Sequence, residues 1–464
     1  MVSDVTDVPA PEVCVLVIDG LPVDLLEAEL PALPFLRERC PHRSTAVSCF
    51  PSTTGPAYFP LLAGVTPGRA NVTGIRWFDR TRSTPSRFPH RGLRSYVGPD
   101  ARRMVTDTRV PTMLGEHAWP ASTPVAKDSP KKTGEKSRDA LWAFAHFTHR
   151  WDLADRRTAW KLGRAQQKGR PIVFAVFPSV DEYGHTLGFG DEMRTALHGI
   201  DAMLQATLGD FGGELLVTAD HGLTPTEHHI DLRAEVAARV GATIAFPLIG
   251  TPDPAAVVCE SGNGMAHVYL GASRRWQEVP TRERCLELAE DLRASLPGID
   301  SIAIRDDEPH HVTLLHDGGP TRVWWTPAGF GYETATGEKA DGLDPAAALA
   351  ETAAWEHPDA PFSLVSLFAS ERTGDLLVSA RVGHDLRTAR EWPTHHASHG
   401  ALHRHHTTVP VLASSPLPAT PLRTIDCFPL ALERAGLDPH ALYPRSDAAL
   451  IAAGTWAPGV DRGD

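Results

Sequence analysis

Three short apolar runs in the first half of the chain each lead to an acidic residue. Val13–Ile18 ends at Asp19, Ile172–Phe177 leads to Asp181, and Leu215–Ala219 ends at Asp220. Uninterrupted apolar runs separated by helix-like stretches are the pattern of strands covered on both faces in an α/β sheet. In such sheets functional groups gather at the carboxyl ends of the strands. Helical stretches are predicted at Pro22–Leu30, Asp191–Leu208, Thr281–Ser295 and Asp426–Ala435, the last closing the chain. From Ala242 to about Asp341 the pattern changes to short alternating runs (Ala266–Leu270, Ser301–Ile304, Val312–Leu315, Arg322–Trp325) broken by Gly and Pro. That texture predicts an α+β insertion or cap. Leu376–Ala380 and Val409–Ala413 predict a return to the core sheet, and Ser122–Arg138, rich in Lys, Ser and Pro, predicts a mobile loop. The expected division is therefore a catalytic core over 1–241 and 342–464, with a cap at 242–341.

At 464 residues there is room for one large domain carrying such an insertion. A formal charge of -12 argues against coating nucleic acid, since proteins that track phosphate backbones are usually basic. It leaves open a small phosphorylated substrate, because bound divalent ions reverse the local sign. No run approaches the roughly 20 apolar residues that span a bilayer. Met1–Glu12 is acidic rather than basic, and Val13–Ile18 is short for a signal peptide, so a cytoplasmic location is expected. Six scattered cysteines without a CxxC pair suggest buried thiols rather than disulfides or a thiolate metal site.

The candidate chemistry lies in four places. In Cys49–Gly64, Gly55 and Pro56 sit where a helix could begin, with Thr54 just ahead of it. A hydroxyl there faces free backbone N–H groups, which favours an incoming phosphate, although Thr is also an ordinary N-cap. Asp181 and His185, four apart, lie on one side of a turn or helix and suit a single metal ion. Asp220-His221-Gly222 follows a buried strand, and adjacent residues reach one ion only where the backbone turns sharply, as Gly222 permits. The tract His395–His406 is His-rich, and His399 before Gly400 is its best candidate ligand. The remaining histidines there read as a solvated loop.

Taken together, the order of Asp19, Phe50-Pro-Ser-Thr-Thr54, Gly74-Ile-Arg-Trp-Phe78, Asp181-x-x-x-His185, Ala219-Asp-His-Gly222 and Ser398-His-Gly400 resembles the alkaline phosphatase superfamily. Within it the sequence looks most like the type I phosphodiesterase/nucleotide pyrophosphatase branch, which includes phosphonoacetate hydrolase. The resemblance spans nearly the whole chain. It implies an alkaline-phosphatase-like, mostly parallel central sheet flanked by helices, with a smaller α+β cap. It also implies two divalent metal ions, zinc first and manganese second. One would be held by Asp181, His185 and His399, the other by Asp19, Asp220, His221 and the Thr54 oxygen. Thr54 would attack phosphorus to give a phospho-threonine, with Thr53 as the alternative nucleophile. Many nucleotide-cleaving members carry Asn three residues after the nucleophile, where this chain has Ala57. Arg76, Lys127 and Asn263 are candidates for the missing contact to substrate. The implied function is hydrolysis of a small phosphorylated substrate, with a phosphodiester or pyrophosphate bond of a nucleotide leading. A phosphate monoesterase, a phosphonate hydrolase, a phosphomutase and an inactive metal-binding scaffold are the alternatives.

Overall fold

The computed structural model describes residues 10–82, 92–95, 107–125, 127–129, 135–245, 254–271, 276–388, 394–419 and 421–461. Its central sheet is built from β1 (Val13–Ile18), β2 (His42–Val47), β3 (Ala118–Pro120), β4 (Ile172–Phe177), β5 (Glu214–Thr218), β6 (Thr408–Ala413) and β7 (Leu422–Arg423). The spatial order is β7-β2-β6-β5-β1-β4-β3. β1 runs parallel to both neighbours, with Val13 opposite Ile172 and Glu214. β3 is parallel to β4 and β7 to β2, while β6 lies antiparallel between β2 and β5. The sheet is thus mostly parallel, as the resemblance implied.

Every residue of β1 and β4 is buried, because helices cover both faces of the sheet. Leu197, Ile200 and Leu204 pack into this core from Asp191–Leu208, and Phe428, Ala431 and Leu432 from Cys427–Arg434. The third predicted strand is shifted by one residue. Thr218 closes the ladders with β1 and β6, so Ala219 belongs to the turn that delivers Asp220. Two short helices, Pro439–Leu442 and Asp447–Ala452, follow the helix expected to close the chain.

A second sheet of nine strands forms the cap, wider than the small insertion expected. It runs Lys339–Leu343, Gly329–Glu333, Gly319–Thr326, His311–His316, Ile299–Arg305, Leu376–Ala380, Met265–Leu270, Ala256–Ser261, Thr243–Ala245. Leu376–Ala380, expected in the core sheet, instead pairs antiparallel with Met265–Leu270 and Ile299–Arg305. The cap sheet therefore extends past residue 341. Alternate side chains face opposite ways along its strands. Ile302 and Ile304 pack with Val236 and Leu288 of the helices Leu232–Val240 and Arg282–Ser295, while Ala303 packs with Leu364 of Ala360–Phe368.

Thr224–Ile230 is sandwiched between Gly383–Leu386, parallel to it, and Ala397–Ser398, antiparallel. This small sheet holds the two chain crossings between core and cap side by side. Of the predicted loop Ser122–Arg138, residues 126 and 130–134 lie outside the described residues, and Glu135 opens a helix that runs to Thr148. Among the described residues no helix is long and apolar enough to cross a membrane.

Candidate active site

β1, β4 and β5 end at the same edge of the central sheet, so the residues after them converge. Asp19 follows β1 directly, and Asp220 and His221 follow β5 through Ala219. β4 leads through Pro178 into the helix Ser179–Leu187, which carries Asp181 and His185 one turn apart. Ligand atoms of Asp19, Asp220 and His221 lie within 4.8 Å of one another, as do those of Asp181, His185 and His399. Both triads, predicted from motif order, are therefore assembled, and all six residues are buried.

Glycine makes the close approach possible. Gly20 adopts φ +63°, and a Cβ there would lie 2.5 Å from Asp181 Oδ1. Its amide donates to Asp220 Oδ1 at 3.3 Å, tying the ends of β1 and β5 together. Gly222 serves differently from expectation. It needs no positive φ, but a Cβ would meet the carbonyl oxygen of His405 at 2.2 Å. Close packing against the His403–His406 turn is what that glycine allows.

Each of the three imidazoles is anchored through Nδ1 to a main-chain carbonyl: His185 to Ala397 at 2.8 Å, His221 to Gly222 at 3.1 Å and His399 to Ser52 at 3.0 Å. A proton on Nδ1 leaves the Nε2 lone pair available as a metal ligand, the usual arrangement at metal centres. The rings of His221 and His399 stack at 3.6 Å, joining the two triads. Asp181 Oδ1 and Asp220 Oδ2 are buried without a hydrogen-bond partner. Burial, then the charges of Asp220 and Asp181, raises the Asp19 carboxyl well above its ordinary range. Burial, then His221 and His185, holds the His399 imidazole well below its own. Three carboxylates and three imidazoles gathered away from water, with oxygens unsatisfied, fit a pair of divalent cations.

Thr54 lies against the first triad. Its Oγ1 is 3.0 Å from His221 Nε2 and donates to Asp19 Oδ1 at 3.3 Å. The Thr53 hydroxyl, by contrast, is fully buried and has no partner. The helix expected to start at Gly55 begins only at Tyr58, after a turn in which Ala57 N donates to the Thr53 carbonyl at 3.0 Å. Thr54 is thus presented by a turn, and its polar surroundings are Asp19 and His221 rather than a helix end. Tyr58, which was not singled out in the sequence, donates from its hydroxyl to Asp19 Oδ2 at 3.1 Å. Its place four residues after Thr54 was the available signal, but a buried aromatic there reads first as core.

Of the three substrate-contact candidates, Asn263 packs beside His399, with which it forms an isolated bridge. Its amide Nδ2 lies 3.4 Å from His395 Nδ1, and the His395 ring is 4.8 Å from that of His185. His395 was passed over within the His-rich tract. Arg76 opens the strand Arg76–Phe78, close enough for its charge to act on His395. Lys127 is paired with Asp128 at 3.1 Å, and among the described residues no hydrogen bond or ion pair joins it to either triad.

The mixed sheet with two Asp/His triads at its carboxyl edge has the architecture of the alkaline phosphatase superfamily. Residues 13–402 match the family described as type I phosphodiesterase / nucleotide pyrophosphatase, and the chain belongs to that family. It is 26% identical over 177 residues to ectonucleotide pyrophosphatase/phosphodiesterase 2 of Saccharomyces cerevisiae, covering 37% of this chain and 34% of that protein. The match therefore spans about a third of that relative's length. Among solved structures, it resembles phosphonoacetate hydrolase from Sinorhizobium meliloti with phosphonoformate (TM-score 0.57, 18% identity, 92% of this chain and 96% of that one). Murine ectonucleotide pyrophosphatase/phosphodiesterase 5 is similar at TM-score 0.56 and 12% identity, over 94% of this chain and 99% of that one.

Proposed function

We propose that this protein is a metal-dependent hydrolase of phosphorus esters that uses Thr54 as its nucleophile, with phosphodiester or pyrophosphate bonds of nucleotides as the leading substrate class. The observation that carries this reading is the Thr54 hydroxyl held between Asp19 and His221 inside a buried Asp/His cluster. Asp19, Asp220 and His221 would hold one divalent ion together with the Thr54 oxygen, and Asp181, His185 and His399 the other. A ligand set of imidazole and carboxylate favours zinc, with manganese next. When bound, two such ions ease ionisation of a hydroxyl and offset the charge that develops on phosphoryl oxygens.

The chain's own residues then define the geometry. The Asp19 and His221 contacts fix the position of Thr54 Oγ1, and the Tyr58 hydroxyl holds the other oxygen of Asp19. Attack on phosphorus forms a phospho-threonine and expels the leaving group on the far side, toward Asp181, His185 and His399. Water arriving from that side releases the product and restores Thr54. The Ala57 side chain carries no amide to offer a non-bridging oxygen. That absence, together with the likeness to a phosphonoacetate hydrolase, favours a phosphonate substrate as the second reading.

The test is turnover of bis-p-nitrophenyl phosphate and p-nitrophenyl phosphate by zinc- or manganese-loaded protein, beside Thr54→Ala. Diester hydrolysis abolished in the variant supports the proposal. Monoester turnover alone shifts it to a phosphatase, and a fully active Thr54→Ala protein refutes the nucleophile.

A further inference from the structure

The helix that carries Asp181 and His185 borders open space on its other side. An α-helix turns about 100° per residue, so Ser179, Tyr183 and Leu187 share one face of Ser179–Leu187, about 180° from the face of Asp181 and His185. That face lines a cavity of about 680 Å³, within the range of about 300–1,000 Å³ typical of small-molecule sites. Its other walls include residues of the helices Asp152–Ala165 and Asp191–Leu208. The backbone of Ser179–Leu187 thus separates this space from the two triads.

Asp155 lines this cavity yet is only 1% exposed. Its Oδ2 accepts from the Ser179 hydroxyl, but its Oδ1 is buried without a hydrogen-bond partner. Burial pushes the carboxyl up to about 7, as expected of a buried acid with no cation beside it. Asp152, Asp191 and Glu192 line the same space, against one arginine, Arg156, and one histidine, His149. Asp152 pairs with Arg150 and Arg156, and Asp191 with Arg194; among the described residues no ion pair reaches Asp155 or Glu192. These carboxylates do not make a cage for a bare metal ion, since among the described residues only the two triads bring three ligand atoms within 4.8 Å of one another. Tyr183, Leu187, Ala196 and Met203 give the space aromatic and apolar walls, which suit an organic ion.

Gly199, in the middle of Asp191–Leu208, opens onto the cavity: a Cβ there would meet nothing within 4 Å. Glycine weakens a helix interior, and no neighbouring atom requires it here, so its effect is to keep this wall clear. We propose that the cavity is a second ligand site, specific for a small organic ammonium ion whose N–H groups donate to Asp155 Oδ1 while its carbon frame lies against Tyr183, Leu187 and Met203. A charged donor facing a buried carboxylate makes a charge-assisted hydrogen bond that a neutral ligand of the same shape lacks. The Tyr183 ring adds its own attraction for a cation. The site uses none of the groups assigned above to attack or to metal binding, so it stands apart from the hydrolase reading.

The experiment is calorimetric titration of the zinc-loaded, full-length protein with three compounds of one shape and different charge: phenethylammonium, 2-phenylethanol and phenylacetate. Phenethylammonium is expected to bind at one equivalent, about tenfold or more tighter than 2-phenylethanol, and phenylacetate more weakly than either. Gly199→Leu fills the space from a position with room for a side chain and favours the helix, so its melting temperature and zinc content should match or exceed those of wild type. It should abolish phenethylammonium binding. Asp155→Asn keeps the side chain's size but removes its charge, and should weaken phenethylammonium about tenfold or more while leaving 2-phenylethanol within about twofold. Should that variant fail to fold, Gly199→Leu alone decides. Equal affinity for the ammonium and the alcohol, or ammonium binding unchanged in folded Gly199→Leu, overturns the proposal. No readout uses turnover, so an inactive Thr54 and an absent ammonium site give separate results.

Discussion

The two triads are built in opposite ways. Asp19, Asp220 and His221 extend from β1 and β5, which pair directly at the middle of the central sheet. Their supports come from that same edge: Gly20 N donates to the Asp220 carboxylate, and the Ser48 hydroxyl donates to the Asp220 main-chain carbonyl. Asp181 and His185 instead ride on a helix, and His399 is clamped between the Ser52 carbonyl and a turn of the cap. The triad beside Thr54 follows from the ends of two paired strands. The other needs a helix, the Ser52 loop and the cap turn to meet. The Thr54 side thus leans on the central sheet and meets the cap through the His221–His399 ring stack, while the Asp181 side is held by the cap turn directly.

The largest expected effect isolates the first triad. Thr54→Ala should lower kcat on the order of 10⁴-fold or more, as loss of a nucleophile does, while both metal equivalents remain on elemental analysis. Activity within tenfold of wild type would remove Thr54 from the mechanism. Gly262→Ala acts on the second triad first. Its Cβ would crowd His399 Nδ1, so affinity for one metal equivalent should fall about 10- to 100-fold, the range for disturbed support of a ligand. Competitive chelator titration would show it, and equal weakening of both equivalents would contradict the contrast drawn here.

A subtler dependence enters through the helix Ser179–Leu187. Its N-cap, Pro178, offers no side-chain cap, and buried Asp155 accepts from the Ser179 hydroxyl and backbone N–H instead. Burial pushes the Asp155 carboxyl up to about 7, outweighing those bonds. The unfolded chain releases this proton near pH 4, so the folded state holds more protons between roughly pH 4 and 7. Its stability should fall through that window as pH rises, by up to ~1.4 kcal/mol per unit, and level off above it. Asp155→Asn removes this contribution, so its melting temperature should gain on wild type from pH 4.5 to 6.5. A constant difference across that range would count against the assignment. Smallest of all, Tyr58→Phe removes one hydrogen bond to Asp19, worth about 1 kcal/mol, and should cost a few-fold in kcat/KM.

β1 and β4 were legible to the residue, because strands covered on both faces leave unbroken apolar runs. Leu376–Ala380 was legible as a strand but not as a cap strand, since periodicity records burial and says nothing of pairing partners. The six Asp and His residues of the triads were readable from motif order, and the structure gathers them. The start of the helix after Thr54 was not, because Gly55 and Pro56 signal a turn and a helix start equally well. His395 was hidden for a different reason: its partner Asn263 lies 132 positions away, beyond the reach of any local spacing.

The strand Thr224–Ile230, held between Gly383–Leu386 and Ala397–Ser398, brings both ends of the intervening cap to neighbouring strand positions, roughly 5 Å apart. Closing a long excursion between such near ends costs entropy that grows only with the logarithm of its length. On an evolutionary timescale the stretch between can therefore lengthen, shorten or be replaced with little thermodynamic consequence for β1 and β5. A lineage could acquire new leaving groups by remodelling that one excursion, while the strands that aim Thr54 are inherited unchanged.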